Sequence, residues 1–460
     1  MRLCVFEDAR SQLLEPITLT WPAFALWCGA ERMFERLRRQ FDATEVGFWL
    51  RPALTDFWRL EHPSAPINDP QWAGAGATVW INGRWLPPPD ARIDATYSHV
   101  ASVKGQIAYV VLPSGASPDG PTLDGWLQAR REQLPTHDAG GVLISHLWDV
   151  VDLNGDALKR DWEWFQRIHG CRRLLAQVAV EGPREQLSVA ATASVQPFVA
   201  FDVSNGPVMV DEGAVIQSFS RLEGPCYIGR DSRVIGATLR AGCTIGPCCR
   251  IGGEVEASVV QGHSNKAHDG FLGHSYVGAW VNLAAGTQTS NLRNDYDQVR
   301  TTVRNRRIST NRTKVGSFIG DHVKTGLGTL LNTGANVGVF SNLLPTGALL
   351  PQVIPSFCQV RHGQLHPLQD LRLAFSTAER MMQRRGMTLT EVHKDFYFHL
   401  FETTVHERSR ILRESESRRL HRLRREGLIA HSDWLTSHPV LPTAEIEHIG
   451  RHSDFDGQPA

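Results

Sequence analysis

An aliphatic residue recurs at every sixth position from Val210: Val210, Ile216, Leu222, Ile228 and Val234. After a one-residue slip the register resumes at Ile245 and Ile251. It returns at Ile319, lapses at Thr325, and continues through Leu331, Val337, Leu343 and Leu349. Four residues further on the side chain is usually small, as at Ala214, Ser220, Cys226, Ser232 and Thr238, then Val323, Thr329, Ala335, Ser341 and Gly347. An amphipathic helix spaces its apolar residues by three and four, and a half-buried strand by two. Strict sixes fit neither, and they predict a hexapeptide β-helix. The aliphatic side chain would fill the axis of a triangular prism and the small one a tight inner corner. The Gly that often follows (Gly229, Gly246, Gly252, Gly320, Gly338) would relieve the turn. Such a coil winds left-handed, against the usual crossover rule.

One stretch interrupts the repeat: Asn265-Lys266-Ala267-His268-Asp269-Gly270-Phe271-Leu272-Gly273. A rigid scaffold broken by a segment carrying Lys and His is where chemistry is expected. Lysines are scarce in this chain, which singles out Lys266. By itself His268 reads equally as a general base or as a solvated loop residue.

The 460 residues suffice for two or three domains. Lys+Arg and Asp+Glu balance at 48 each, which gives no argument for nucleic acid or acidic lipid. The eight cysteines contain no C-x-x-C pair, and Cys226, Cys243 and Cys249 read as core thiols of a reducing compartment. The opening apolar run is too short for a signal peptide, and no segment reaches membrane-spanning length. The expectation is a cytoplasmic protein that binds neither membrane nor nucleic acid.

Residues 1–184 read as α/β. Strands are expected at Leu3–Phe6, Val46–Leu50, Thr78–Ile81, Ile107–Leu112 and Val142–Ile144, and helices at Ala30–Gln40, Leu123–Gln133 and Asp156–Ile168. Asn154-Gly155-Asp156 reads as a turn followed by an N-cap. No Gly-rich phosphate loop follows the first strand. Residues 185–360 form the β-helix and residues 361–460 a helical extension with a polar tail. In the extension a helix over Leu368–Arg385 is expected to end at Gly386. A capping box at Thr388-Leu389-Thr390-Glu391 then opens a helix from Leu389 to near Glu426 that stops at Gly427. Its mixed-sign second half, from Arg408, suits a salt-bridged helix packed on a neighbouring subunit.

Several motifs resemble a known family. Gly252-Gly253-Glu254-Val255-Glu256, Ser264 through Gly273, Trp280-Val281-Asn282-Leu283 and Ser290-Asn291-Leu292-Arg293-Asn294 are similar to bacterial sugar-nucleotide enzymes. Those enzymes are related to the bifunctional UDP-N-acetylglucosamine diphosphorylase/glucosamine-1-phosphate N-acetyltransferase. Pro16-Ile17-Thr18-Leu19-Thr20, Ile81-Asn82-Gly83-Arg84 and Trp148-Asp149-Val150-Val151 resemble the family's first half. The resemblance implies a nucleotidyltransferase-like domain followed by a trimerising left-handed β-helix. It makes His268 the general base, and matches Asn282, Asn291 and, approximately, Arg250 to binding positions. The chain departs from the family pattern in four places. The Gly-rich opening with T-R-M and a downstream P-K is absent, and the Mg2+-holding Asp is replaced around Gly83-Arg84. Trp21 stands where relatives carry Arg, and the Lys preceding the base is missing near Glu256.

Acyl transfer from acetyl-CoA to a sugar amine needs a base, an oxyanion site and a cation for phosphate. The expected assignment is His268 as base; Arg250, Lys266, Asn282 and Asn291 toward the sugar phosphate; and the Ala285-Gly286-Thr287 turn toward the CoA thioester. Arg250 reads equally as an outward surface charge, and the two Asn residues as turn formers. Mg2+ and a nucleoside triphosphate would belong to the first domain. A zinc site using His263, His268 and His274 would need a further His two coils upstream, and none lies between Cys171 and Gly262. The competing reading is a non-catalytic subunit that binds sugar nucleotide.

Overall fold

The computed structural model describes residues 1–426 except Pro121 and Thr346. The first domain is built on a six-stranded sheet: β1 (Arg2–Phe6), β2 (Glu45–Trp49), β3 (Thr78–Asn82), β4 (His99–Val103), β5 (Gln106–Leu112) and β6 (Thr136–Asp138), in the order β2-β1-β3-β5-β4-β6. Strands β2, β1 and β3 run parallel, and β5 joins them antiparallel. The chain leaves β1 to one side to form β2 and crosses to its other side for β3. The carboxyl end of β1 is therefore the topological switch point, where sheets of this kind bind ligands. Helices α1 (Met33–Gln40) and α2 (Leu123–Gln133) belong to this domain.

Helix α3 (Leu147–His169) starts nine residues before the expected N-cap, which was placed at Asp156. The Asn154-Gly155 pair lies inside the helix rather than in a turn. Asn154 is fully buried and brackets two layers: it accepts from the Gly29 N–H at 2.7 Å and donates to the Thr244 hydroxyl at 3.0 Å. Tertiary hydrogen bonds thus override a local turn signal. The cap is made instead by His146 and Asp149.

The repeat folds into a left-handed parallel β-helix. One face is a nine-stranded sheet running from Leu187–Val189 to Val353–Ile354. It packs against α3 and the first domain, with the Tyr276 hydroxyl accepting from the Trp27 N–H at 2.9 Å. Val210, Ile228, Ile245, Ile319 and Val337 fill the axis at no measurable exposure. Leu349 departs from the expected pattern: it is exposed, and Leu350 takes the inward place. Residues 290–316, including an antiparallel hairpin (Arg300–Val303 with Arg306–Ser309), loop out of the coil without disturbing the strands that follow.

The glycines after the aliphatic positions do a different job from the one expected. Gly252 does not have a left-handed backbone; a Cβ there would run into the Ala267 carbonyl of the next coil. Glycine is needed for close approach of the coils. The left-handed corner is held by larger residues: His263, Trp280, His322, Phe340 and Phe357, all with φ between 54° and 60°. Such a backbone costs a non-glycine residue roughly 1–2 kcal/mol. Stacking offsets this. The rings follow one another at 4.3, 6.3, 4.5 and 5.3 Å with interplanar angles of 14° or less. His263 is therefore a stacking partner of Trp280.

The C-terminal helices are α4 (Leu371–Gln383), α5 (Glu391–Thr403) and α6 (Val405–Arg425). The cap of α5 is Thr390 with His393 as its third-position partner, because the helix starts at Glu391 and not at Leu389. The single long helix expected here breaks at Thr404, whose hydroxyl bonds back to the Leu400 carbonyl at 2.8 Å. Phe396 and Leu400 bury one face of α5 as their spacing requires. Within α6, Arg410 pairs with Glu414 and Arg419 with Glu416. The stop at Gly427 and the polar tail beyond it lie outside the described residues. No helix among the described residues is long and apolar enough to cross a membrane.

Candidate functional site

A second face of the coil carries a column of outward polar side chains, one per turn: Arg250, Asn265, Asn282, Lys324, Asn342 and Gln359. The column follows from the parallel register, which stacks like positions directly above each other. The inward residue beside each is Ile251, Lys266, Leu283, Thr325, Leu343 and Val360. Two of these are polar where the repeat wants an aliphatic side chain. Thr325 is satisfied by the Ala284 N–H at 2.9 Å and the Thr287 hydroxyl at 2.8 Å. Lys266 is almost completely buried and donates to the Gly252 carbonyl at 2.8 Å and the His268 carbonyl at 3.1 Å.

Helix α4 lies over this column and closes a cavity of about 630 Å³. Among its lining residues are Arg250, His268, Asn282 and Ala285 from the coil, with Arg380, Arg384 and Arg385 from the end of α4 and the segment after it. Asn265 and Lys324 complete the polar floor. The Arg385 guanidinium reaches across to the Asn265 side-chain oxygen at 2.8 Å. Burial, and then the neighbouring Arg385 and Arg233, hold the Arg250 guanidinium below its usual range. Burial brings the Lys324 ammonium down to about 7.

Four of the seven expected site residues thus meet in one place: His268, Arg250, Asn282 and Ala285. Lys266 does not line the cavity. Its ammonium is turned into the coil under the His268 loop, and burial lowers it to about 8. Asn291 is elsewhere, its amide on the His274 ring at 3.0 Å. Gly286 is not at the cavity wall either. Its N–H donates to the Asp269 carbonyl at 2.9 Å, which pins the Ala285-Gly286 turn to the His268 loop. The Thr287 N–H is committed to the Ala284 carbonyl at 3.1 Å. The α4 arginines were not foreseen. Their signal was the spacing of Arg380 and Arg384 by four, which puts both on one side of a helix.

In the first domain the switch point at the end of β1 is closed by an internal ion pair. Asp8 accepts from the Arg84 guanidinium at 2.8 and 2.5 Å and from the Asn82 amide at 2.9 Å. The Arg84 side chain has no exposure. The adjoining carboxylate, Asp124, accepts the Ala9 N–H at 3.1 Å. Among the described residues no three His, Cys, Asp or Glu side chains gather as metal ligands would. Mg2+ requires several oxygen ligands in octahedral geometry, and these residues do not fit it: a guanidinium already takes the cation's place against Asp8.

Residues 3–169 match the family of sugar nucleotidyl transferases. A bifunctional sugar-1-phosphate nucleotidylyltransferase/acetyltransferase from Sulfurisphaera tokodaii is 38% identical over 92 residues, 20% of this chain and 23% of that one. The bifunctional protein GlmU from Jannaschia sp. is 31% identical over 219 residues, 44% of each chain. The solved UDP-N-acetylglucosamine acyltransferase from Campylobacter jejuni aligns with 50% of this chain and 91% of its own at 12% identity, with a TM-score of 0.18. The chain spans less than half the length of these two bifunctional relatives. Over these stretches the chain is similar to bifunctional sugar-1-phosphate nucleotidylyltransferase/acetyltransferases, and its first domain matches the sugar nucleotidyl transferase family.

Proposed function

We propose that the β-helix cavity transfers an acetyl group from acetyl-CoA to the nitrogen of an amino-sugar phosphate, with His268 as the base. The observation that carries this reading is the convergence of His268 with Arg250, Asn265, Asn282 and Lys324 in one cavity that, among the described residues, has no carboxylate on its wall. The substrate ammonium loses one proton to water, and the imidazole takes a second from the nitrogen as it attacks. The freed nitrogen pair attacks the thioester carbonyl, the C–N bond forms, and the C–S bond breaks with its electrons on sulfur. The thiolate is a good leaving group, and the proton held by His268 returns to it. Asn265 and Asn282 would bind sugar hydroxyls or the amine, and Arg250 the phosphate. Ala285 lies where the thioester would pass.

His268 is exposed on the rim of the cavity, and Leu327, which also lines it, is 71% exposed. A second copy of the chain would cover both, as in a homotrimer working in the cytoplasm. The kinship with named transferases favours catalysis over a subunit that only binds sugar nucleotide. Acetylation of glucosamine 1-phosphate, followed by thiol release from acetyl-CoA, tests the reading. His268→Ala should lower turnover about 10²- to 10⁴-fold, and undiminished turnover would remove His268 from the mechanism.

The family match over residues 3–169 favours sugar-1-phosphate nucleotidyl transfer as a second activity, and the Asp8–Arg84 pair stands against a metal-dependent form of it. Pyrophosphate release from UTP, Mg2+ and a sugar 1-phosphate decides between them.

A further inference from the structure

Four guanidinium groups face one cavity: Arg250 from the coil, and Arg380, Arg384 and Arg385 from α4 and the segment after it. Among the described residues no Asp or Glu lines that cavity, and none of the four is paired with a carboxylate. Arg380 and Arg384 are exposed, but Arg250 and Arg385 are half-buried, and most other arginines that are buried or half-buried are paired, as Arg36 with Asp161, Arg84 with Asp8 and Arg221 with Asp202. Basic residues at a helix C-terminus complement its dipole, which accounts for Arg384 and Arg385 being where they are. It does not account for Arg385 turning across the cavity to Asn265, nor for its buried Nε having no partner. Nor does it account for Arg250 lying close enough to Arg385 for that charge to add to burial in lowering its proton affinity.

We infer that the α4 arginines and Arg250 form a subsite for a diphosphate, so that the ligand seated under α4 is a nucleoside diphosphate group. One sugar phosphate would engage one or two guanidinium forks. Four forks with no protein counter-charge call for more negative charge than a single monoester carries. The cavity, at about 630 Å³, is also larger than a hexose phosphate needs. Beside the arginines the wall is apolar, with Met381, Leu283, Ala284 and Leu327. That surface suits the base or the thiol arm that such a ligand carries. Two sources share this chemistry: the acyl donor CoA, and a nucleotide-linked sugar as acceptor. The inference deepens the acyl-transfer reading of the same cavity. Its test measures binding alone, so a failure of turnover would leave it standing.

Calorimetry on the full chain, with CoA, UDP and glucosamine 1-phosphate as separate probes, tests the subsite. At least one of CoA and UDP should bind about tenfold or more tighter than glucosamine 1-phosphate, and raised salt should weaken that binding. Arg384→Gln/Arg385→Gln should lose about tenfold or more for the diphosphate and less than about threefold for glucosamine 1-phosphate. Tight CoA alone assigns the subsite to the donor, and tight UDP alone to the acceptor; either outcome supports it. If the double variant melts early, Arg380→Gln, a change at an exposed position, is read by the same rule. Unchanged diphosphate affinity in the variants, equal affinity for the monophosphate, or no binding of either diphosphate overturns the subsite.

Discussion

The ammonium of Lys266 donates to the backbone carbonyl of His268 at 3.1 Å from inside the coil, where a branched aliphatic side chain would otherwise sit. Burying an ammonium is unfavourable unless its donors are met. Here a second carbonyl, that of Gly252, takes another of its protons at 2.8 Å. The loop that carries the imidazole is thus tethered to the core by a hydrogen bond.

Lys266→Met should cut kcat by about 10- to 100-fold, the scale of a misplaced catalytic group, while KM moves less than about threefold. Steady-state acetyl transfer gives both constants. A rise in KM at constant kcat would place Lys266 in substrate binding instead.

Asp321 joins the two domains, accepting from the Trp21 indole at 2.7 Å and the Ala279 N–H at 2.8 Å. Burial pushes its carboxyl up from 3.8 to about 7. Between these values the folded protein holds a proton there that the unfolded chain has released. Its contribution to stability is therefore full at the acid end and is lost as pH rises toward about 7. Lys324, lowered to about 7, changes stability only above that point. The stability of the wild type relative to Asp321→Asn should fall across this window, as read from urea midpoints at several pH values. A constant difference would contradict the assignment.

Arg84→Met leaves the Asp8 carboxylate without its partner at a nearly closed site. The expected loss is roughly 3–5 kcal/mol, the scale for a broken buried pair, and Asp8→Asn added to it should recover a large part. Denaturation of the single and double variants measures the coupling. A loss under about 1 kcal/mol would mean that the pair is screened by water.

Thiol reactivity checks the core. Cys171 is exposed and Cys248 half-buried, and burial pushes Cys243, Cys249 and Cys358 up to about 12. A thiol reagent on the native protein should titrate Cys171 quickly and Cys248 slowly, with the remainder released only by denaturant. Rapid reaction of Cys226 or Cys243 would contradict the packed axis.

The coil was legible in the sequence because each turn repeats the same packing problem, and Val210 and Val337 answer it alike. The His268 loop was legible as a break in that pattern. Lys266 was not, since a sequence shows that a cation is present but not that its head points inward. The arginines of α4 were hidden for a related reason: Arg380 and Arg385 meet Arg250 only through the fold, 130 or more residues apart in the chain. Asn154-Gly155 misled because the hydrogen bonds that hold it helical come from Gly29 and Thr244.

The stacked rings from His263 to Phe357 set a rule for how such a chain can change length. Each ring rests on the one a turn away, 17 residues on from His263 and from Phe340 and 18 on from His322, so a turn absorbs a single residue while a larger change of length within it would throw the next ring off its neighbour. Insertions are tolerated where they bulge outward, as residues 290–316 do. Larger changes otherwise come as turns of about this length, and the spacing between the imidazole loop and the α4 arginines changes in the same steps.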